Sequence, residues 1–466
     1  MELSELELMT TQIEKMEAHP ADELDVAQET QKLDEIGERL IQLALKKGAS
    51  QVEVGVSKDI GLSVQVRNQQ VETLEYNRDN SFGLTVYFGH QKGIATTSDL
   101  TLSALEETVS AACNIAKYTQ PDACSGLADK SLMATNAVDL GLDCPMNVTA
   151  EQAMELAMQC ELAGKKYSDK VLQSEGATFN SHRNIRYLAN SHGFSAAIPS
   201  TRHSLSCVLI AEDNLGMQRD YWYTIGRDFA DLEPASSVGE NAAQKVIKRL
   251  GAKKINTQKA PVLFVPDVAR GLINSFCAAI KGASLYRQSS FLLDAIDTQV
   301  FPNFITMKED PLLYKGLASS WFDNEGVATR AQDIVKDGIL TTYLLNSYSA
   351  RRLKLQPTGH AGGLHNLEVS HGGSDFESLV KKMNKGLIVT EVMGQGVNLI
   401  NGDYSRGASG FWVENGQIQH FVQEITIAGN LKSMFSNLVE VGNDRDNRSS
   451  FLTGSWLLEE MMIAGN

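Results

Sequence analysis

Histidine is a frequent ligand of catalytic zinc, and the chain has nine histidines. A compact zinc-peptidase helix needs two histidines one turn apart, with an adjacent glutamate that activates the metal-bound water. None of the nine histidines is followed by glutamate. The sequence therefore contains no zinc-peptidase motif of this type.

Three histidines do lie near one another, in the glycine-rich segment 358–373. His360, His365 and His371 are separated by five and six residues, a spacing that matches no single face of a helix. A glycine-rich loop could still bring them to one metal ion. The alternative is that they are neutral loop histidines bonded to the backbone, and both interpretations stay open here.

Other compact motifs are incomplete. Gly394-Gln-Gly396 begins like a dinucleotide-binding G-x-G-x-x-G sequence, but Leu399 stands in place of the third glycine. The residues around Ser409 lack the spacing of a serine hydrolase. The six cysteines form no C-x-x-C pair, which argues against disulfides and a structural zinc site.

Hydrophobic periodicity predicts the elements that position these residues. A helical stripe runs from Leu33 to Gly48, and alternating apolar and polar residues then indicate antiparallel strands over 52–88 and 170–225. Pro266 opens a further helix. Its apolar stripe includes Leu272, Ile273 and Phe276, so we expect these three side chains to be buried.

Two dipeptides, Asp337-Gly338 and Asn415-Gly416, are hairpin signals between apolar residues. The polar, basic stretch 251–260 separates two patterned regions, and the length exceeds what one core usually serves. We therefore predict an α+β protein with a loosely ordered acidic extension and two domains. Their predicted ranges are 1–28 for the extension, 29–250 for an α+β domain with antiparallel sheets and packed helices, and 251–466 for a β-rich domain.

The net charge of the chain limits the classes of molecule that it is expected to bind. With 42 basic and 57 acidic residues, the formal net charge is −15. Such a surface repels phosphate backbones and anionic lipids, so we expect neither nucleic acid nor a membrane as partner. The sequence has no transmembrane stretch, and its acidic N-terminus lacks the positive region of a signal peptide. We expect a cytoplasmic protein.

Ten segments, in order, resemble one protein family. They are 179–183, 200–206, 219–227, 286–294, 315–320, 347–352, 358–363, 392–397, 402–416 and 424–431. From about residue 50 onward the chain resembles the TldD/PmbA metallopeptidase family, also called modulators of DNA gyrase. Within it, the chain is similar to the PmbA/TldE-like branch, which lacks the H-E-x-x-x-H zinc motif.

This resemblance implies an N-terminal α/β region and a C-terminal region built on a curved antiparallel sheet or partial barrel. It also implies a cytosolic heterodimer with a TldD-like catalytic subunit that carries the zinc, or a homodimer when the chain is alone. The implied substrates are unfolded or extended peptides. The family is linked to proteolysis, microcin maturation and antitoxin turnover.

By position, the H-E-x-x-x-H segment falls on Leu272–Cys277, where Leu, Ile and Cys replace His, Glu and His. No histidine lies between His203 and His360, and Cys277 is the last cysteine, so the family's late cysteine ligand is also missing. The resemblance thus implies no metal and no catalytic residue in this chain.

Members of this family are thought to hold a peptide extended beside strands at the subunit interface. Gly394, Gly396 and Gly407 would allow a peptide backbone to approach closely, and Tyr404 and Arg406 would contact the peptide or its terminal carboxylate. The alternative is that these residues only lock a turn of the domain itself.

The expected function is that of a non-catalytic subunit of a zinc metallopeptidase. Two alternatives stay open. One is a peptidase in its own right that uses the loop with His360, His365 and His371. The other is a non-proteolytic regulator that binds gyrase inhibitors.

Overall fold

The computed structural model describes residues 24–465. The fold is α+β, as predicted, with a curled antiparallel half-barrel sheet, a closed five-stranded barrel, a smaller sheet and packed helices. The α-helices of this range are α1 (Val26–Lys46), α2 (Leu102–Tyr118), α3 (Ala150–Lys166), α4 (Ala235–Lys248), α5 (Pro266–Ala279), α6 (Gly282–Tyr286), α7 (Ser347–Leu353), α8 (Phe376–Met383) and α9 (Leu431–Ser436).

The strands of the same range are β1 (Gln51–Arg67), β2 (Gln70–Phe88), β3 (Gln91–Thr97), β4 (Val171–Asn190), β5 (Ser195–Asp213), β6 (Gly216–Gly226), β7 (Gln258–Phe264), β8 (Met307–Asp310), β9 (Gln332–Lys336), β10 (Ile339–Leu340), β11 (Asn366–Val369), β12 (Gly386–Met393), β13 (Asp403–Glu414), β14 (Gln417–Asn430), β15 (Leu438–Val441), β16 (Phe451–Leu452) and β17 (Trp456–Ala464). None of the helices between residues 24 and 465 combines the length and the apolarity that crossing a bilayer requires.

The half-barrel sheet is the first sheet of the chain. It has the strand order β3-β2-β1-β4-β5-β6, and every neighbouring pair is antiparallel. Alternation along β1 buries Val52, Val54 and Val56 beneath α1 and α2, and the far end of the sheet packs on α3 and α4. The alternate residues of the strand, such as Glu53 and Ser57, lie on the opposite face of the sheet. That polar face borders the candidate site.

The C-terminal barrel follows the strand order β14-β13-β12-β7-β17, and pairing between β14 and β17 closes it. β15 extends this sheet from β17. The smaller sheet has the order β10-β9-β8-β11-β16. Because a closed barrel has no free strand edges, its backbone groups are satisfied within the chain.

Both predicted hairpins are confirmed. Asp337 and Gly338 connect β9 to β10 with φ of 49° and 80°, and Asn415 and Gly416 connect β13 to β14 with φ of 53° and 67°. Two consecutive left-handed residues match the twist of the flanking strands, which is why Asp-Gly and Asn-Gly occupy these turns.

The first predicted helix is present but begins earlier than the stripe indicated. Helix α1 starts at Val26, where the Asp25 side chain caps it by accepting a hydrogen bond from the Gln28 N–H at 3.0 Å. Residues 26–28 of the predicted extension 1–28 therefore belong to helix α1, and the division into domains stays a prediction. Residues 1–23 of that extension lie outside the described residues.

The structure confirms that the apolar stripe of helix α5 is buried. Pro266 occupies the first helical turn, and Leu272, Ile273 and Phe276 are 1%, 0% and 0% exposed. These side chains pack in the same core as the barrel residues Phe264 and Trp456. The helix is thus a structural element of the barrel core.

We predict that Leu272→Ala lowers the free energy of unfolding by about 2–5 kcal/mol, because it leaves a cavity in a closed core. Urea unfolding followed by circular dichroism measures this change. Leu215→Ala is the matched control, since Leu215 is 67% exposed, and should change stability by less than about 0.5 kcal/mol. Equal effects of the two changes would contradict the core assignment of α5.

Candidate functional site

Four of the segments that carry the resemblance meet at one cavity. Its volume is about 280 Å³, and its lining is mainly polar. Strands β4 and β5 form one side, and loops of the C-terminal region form the other. The lining taken from the four segments consists of Ser200, Arg227, Ala318, Ser319, Ser320, Ala361, Gly362 and Gly363.

Arg186 on β4 joins the two sides of this cavity. Its guanidinium donates to Asn324 Oδ1 at 2.8 Å, to Ser320 Oγ at 2.7 Å and to the Phe322 carbonyl at 3.3 Å. It also lies 4.8 Å from the centre of the Phe322 ring. Burial lowers the pKa of Arg186 below its usual value. These contacts fix the orientation of the guanidinium.

Arg227 follows β6 directly and lines the same cavity. It donates to the carbonyls of Thr201 at 2.9 Å and Leu317 at 2.6 Å, and the Thr201 hydroxyl donates back to the Arg227 carbonyl at 2.7 Å. Its Nε is buried and has no hydrogen-bond partner among the described residues. Burial lowers the pKa of Arg227 to about 10, so the side chain is still cationic at neutral pH.

Asp323 is the acidic residue of this lining. Its carboxylate accepts from the backbone N–H groups of Ala361 at 3.0 Å, Glu325 at 2.8 Å and Val327 at 3.0 Å. Burial raises the pKa of Asp323 to about 6, despite these hydrogen bonds. Asp323 therefore holds two loops together at the edge of the cavity.

The glycine-rich loop of the cavity is anchored by a buried carboxylate on β8. Glu309 accepts from His360 Nε2 at 2.8 Å, from His365 Nδ1 at 2.9 Å and from the His365 backbone N–H at 2.8 Å. Burial alone would raise the pKa of Glu309, but the two histidine hydrogen bonds outweigh it and hold the pKa well below its ordinary value. The carboxylate thus stays ionised in the interior.

The three loop histidines do not converge on one point. His360 and His365 both face Glu309, whereas His371 is exposed and its Nδ1 donates to the Gly372 carbonyl at 2.7 Å. Across residues 24–465, no group of three or more His, Cys, Asp or Glu side chains is arranged to hold a metal ion. Hydrogen bonding accounts for the positions of His360 and His365.

The first turn of α5 carries an ionic network. Arg270 donates to Asp267 at 2.6 Å and also to Asp446, and Arg448 donates to the two Asp446 oxygens at 2.8 and 2.9 Å. The Arg448 guanidinium lies 3.7 Å from the centre of the Trp222 ring on β6. Burial would raise the pKa of Asp446, but the Arg448 hydrogen bonds lower it well below its usual range. The network ties α5 to the half-barrel sheet.

Two of the candidate channel glycines have different surroundings. A Cβ on Gly396 would lie 1.5 Å from the Ser405 carbonyl oxygen, and the Gly396 carbonyl accepts from Ser405 N–H at 2.7 Å. Gly394, by contrast, has φ of 79° and open space around it. The absence of a side chain at Gly396 therefore serves a close approach within the chain itself.

The other three candidate residues lie on β13. Its backbone pairs with β14 on one side and, on the other, with β12 from Gly407 onward and with the segment 396–398 before it. Tyr404 is 3% exposed and belongs to the barrel core. Arg406 donates to the Met393 carbonyl at 3.4 Å, and Gly407 faces Met393 without strain. A peptide strand cannot pair with the backbone of β13, because its neighbours already do so.

The two arginines and Asp323 were not identified as site residues from the sequence. Arg186 lies in an alternating strand, where a polar residue is expected on the open face in any case. Arg227 ends one of the segments that carry the resemblance. The signal that could have found Arg227 is its place in that segment.

Three family models match successive parts of the chain. They are described as PmbA/TldA metallopeptidase domain 1, central domain and C-terminal domain, and they match residues 52–116, 145–250 and 257–465. The chain is 51% identical to the metalloprotease PmbA of Escherichia coli O157:H7 over 93% of this chain and 96% of that protein.

Haemophilus influenzae has two similar proteins. The chain is 50% identical to its metalloprotease PmbA homolog, over 91% of this chain and 94% of the relative. It is 22% identical to its metalloprotease TldD homolog, over 76% of this chain and 77% of the relative.

Solved structures have the same fold. A candidate modulator of DNA gyrase from Bacteroides thetaiotaomicron superposes with a TM-score of 0.88 at 26% identity, over 93% of this chain and 99% of that one. TldE from Thermococcus kodakarensis superposes with a TM-score of 0.78 at 18% identity, over 92% and 100% of the two chains.

We predict that Gly396→Ala lowers the free energy of unfolding by about 1–3 kcal/mol, because the added methyl group displaces the Ser405 carbonyl. Gly407→Ala is the matched control. Its Cβ would lie 3.6 Å from Met393 Cβ, an ordinary contact, so stability should be unchanged or rise by up to about 1 kcal/mol. Thermal and urea unfolding compare the two variants. Equal stability would show that Gly396 is not tightly packed.

Glu309 should also make the stability of the protein depend on pH. Because the folded-state pKa of Glu309 lies below its unfolded value, its contribution to stability is complete above about pH 4.5 and is lost as the pH falls towards the folded pKa. The unfolding free energy of the wild-type chain should therefore fall more steeply than that of Glu309→Gln as the pH drops from about 5 to about 3. Urea titrations at several pH values measure both slopes. Glu459→Gln, at the surface, controls for the loss of one carboxylate, and equal slopes for Glu309→Gln and wild type would contradict the ionised state of Glu309.

Proposed function

The chain belongs to the PmbA/TldD metallopeptidase family, and we propose that it is the TldE-like subunit of a heterodimeric peptidase. In this proposal the zinc and the catalytic residues lie in a TldD-like partner, and this chain binds no metal. Its role is to shape the space in which an unfolded or extended peptide lies. The pair works in the cytoplasm, in proteolysis or in the maturation of peptides.

The observation that carries this proposal is the environment of α5. Leu272, Ile273 and Cys277 occupy the positions of the His, Glu and His of the motif. Leu272 and Ile273 are buried, and Cys277 is half-buried against the same core. The Phe276 ring lies 5.2 Å from Phe301 and 6.1 Å from Phe435, measured between ring centres. A catalytic zinc site needs ligands that face an open, water-accessible position, and an aromatic core offers neither.

The comparisons support a pairing of two related chains. Haemophilus influenzae has both a PmbA homolog, to which this chain is 50% identical, and a TldD homolog, to which it is 22% identical. Two chains of one fold in one organism are what a heterodimer of unlike subunits requires.

The alternative of a peptidase built on the glycine-rich loop has less support. Both His360 and His365 are hydrogen-bonded to Glu309, and His371 points elsewhere. A metal ion bound by His360 and His365 would break their hydrogen bonds to Glu309. The buried carboxylate would then lose the groups that compensate its charge, which costs free energy.

For the peptide channel we propose a surface formed by Gly394, Arg406 and Gly407, together with the exposed side chain of Met393. Tyr404 supports this surface from the core, and Gly396 holds the loop against Ser405. Because β13 is fully paired, the peptide would contact this surface through side chains and glycine backbone rather than by strand addition.

We predict that the purified chain contains less than about a tenth of an equivalent of zinc at neutral pH, because residues 24–465 offer no ligand set that binds zinc tightly. Inductively coupled plasma mass spectrometry measures the content, with the TldD-like partner purified in parallel as a positive control. One zinc per chain that disappears in the His360→Ala/His365→Ala variant would establish the loop as a metal site and refute the proposal.

We also predict that Gly407→Trp slows peptide cleavage by the assembled pair at least about tenfold, because the indole ring fills the proposed channel. Gly407→Ala is the control and should cleave at the wild-type rate. Size-exclusion chromatography establishes that both variants still assemble with the partner. Wild-type cleavage by an assembled Gly407→Trp pair would rule out this surface as a channel wall.

A further inference from the structure

The polar cavity contains two cations, Arg186 and Arg227, that form no ion pair with any residue between 24 and 465. Within the described residues, Arg186 bonds to one amide oxygen, one hydroxyl and one carbonyl, and Arg227 bonds to two carbonyls. Carrying a cation into a partly buried site costs free energy unless an anion compensates it. The Asp323 carboxylate acts on Arg186 without forming an ion pair, and with two arginines against one aspartate the lining keeps a net positive charge.

Both guanidinium groups have hydrogen-bonding capacity left. An arginine has five N–H donors, of which the contacts above use three in Arg186 and two in Arg227. The Nε of Arg227 is among those without a partner, although it is buried. A buried donor without an acceptor is unfavourable, so an acceptor that enters the cavity gains more here than at the surface.

The cavity differs in charge from the rest of the molecule. The chain carries a formal net charge of −15, yet the lining combines Arg186 and Arg227 with one carboxylate, that of Asp323. The Asp323 oxygens already accept three backbone N–H groups, which partly neutralise them. An anion that approaches this acidic protein thus meets an excess of positive charge at the cavity, which lowers the energy of the anion there.

Size and lining limit the kind of anion. The volume of about 280 Å³ lies below the roughly 300–1,000 Å³ of pockets for drug-sized ligands, so it suits a single terminal residue. A Cβ on Gly363 would meet no atom within 4 Å, so backbone borders open space there. The hydroxyl of Ser200 also lines the cavity. Planar carboxylates match the fork of a guanidinium and bond to it through two oxygens.

We propose that this cavity binds a carboxylate group of the peptide substrate through Arg186 and Arg227. The carboxylate comes from the C-terminus of the peptide or from an Asp or Glu side chain. The identification of the ligand as a peptide rests on the proposed function. The site itself rests on the geometry of the two arginines, and the test below uses the chain alone, without a partner and without cleavage.

The test is isothermal titration calorimetry of the purified full chain with four probes. They are N-acetyl-trialanine with a free C-terminus, its C-terminal amide, N-acetyl-Ala-Glu-Ala-amide, and inorganic phosphate. We expect binding of the free acid at least about tenfold tighter than binding of its amide, because only the acid bonds to both guanidinium groups. Tight binding of the glutamate-containing amide would assign the site to acidic side chains as well.

Arg227→Met removes the charge and keeps much of the side-chain volume, and we expect it to weaken binding of the free acid about tenfold or more. Arg39→Met is the matched control, since Arg39 pairs with Glu106 at the surface, and it should bind as the wild type does. If Arg227→Met unfolds, Ser200→Leu fills the cavity without removing a hydrogen bond of either arginine, and should abolish binding in the same way.

Three results would overturn the proposal. Equal affinity for the free acid and its amide would exclude carboxylate recognition. Binding of phosphate without binding of any acidic peptide would assign the site to a free inorganic anion. Unchanged affinity in a folded Arg227→Met or Ser200→Leu variant would place the binding elsewhere. Absence of heterodimer activity, in contrast, would affect only the proposed function.

Discussion

The buried carboxylate of Glu309 is the interaction on which the geometry of the site depends. A charge in the interior must be compensated, and here His360, His365 and a backbone N–H compensate it. That requirement fixes the loop 358–365 against β8 and so sets the position of Gly362 and Gly363 at the cavity. The same carboxylate is hydrogen-bonded to His360 and His365, two of the three loop histidines that the sequence offered as metal ligands. One compensated charge thus holds the loop that borders the cavity and orients both of its buried histidines.

The sequence predicted the parts of the fold that depend on neighbours along the chain. The stripe through Leu272 and Phe276 and the Asn415-Gly416 hairpin need only local patterns, and both are present. The pairing of β14 with β17 and the contact of Arg186 with Ser320, 134 residues away, depend on tertiary closure that no local pattern encodes. The same limit explains why the histidine loop left two interpretations open: its partner Glu309 lies 51 residues from His360.

The structure also indicates how a chain of a metallopeptidase family is built when it lacks the H-E-x-x-x-H motif. On α5, apolar side chains fill the positions onto which the motif falls, and the helix then serves the barrel core. Its first turn carries Arg270 and Asp267, which with Asp446 and Arg448 connect α5 to Trp222 of the half-barrel sheet. Such a helix favours stability over reactivity, because a buried metal-binding residue without its metal would be an uncompensated polar group. The polar chemistry of the chain lies instead at the cavity between the two halves.

In the proposed pair, this chain contributes no catalytic group and is nevertheless required for cleavage. The test is to titrate a fixed amount of zinc-loaded TldD-like partner with this chain while following the hydrolysis of a fluorogenic unfolded peptide. The rate should be negligible for either chain alone, should rise as this chain is added, and should saturate at about one chain per partner. Cleavage by this chain alone, or a partner rate that does not respond to its addition, would contradict the claim.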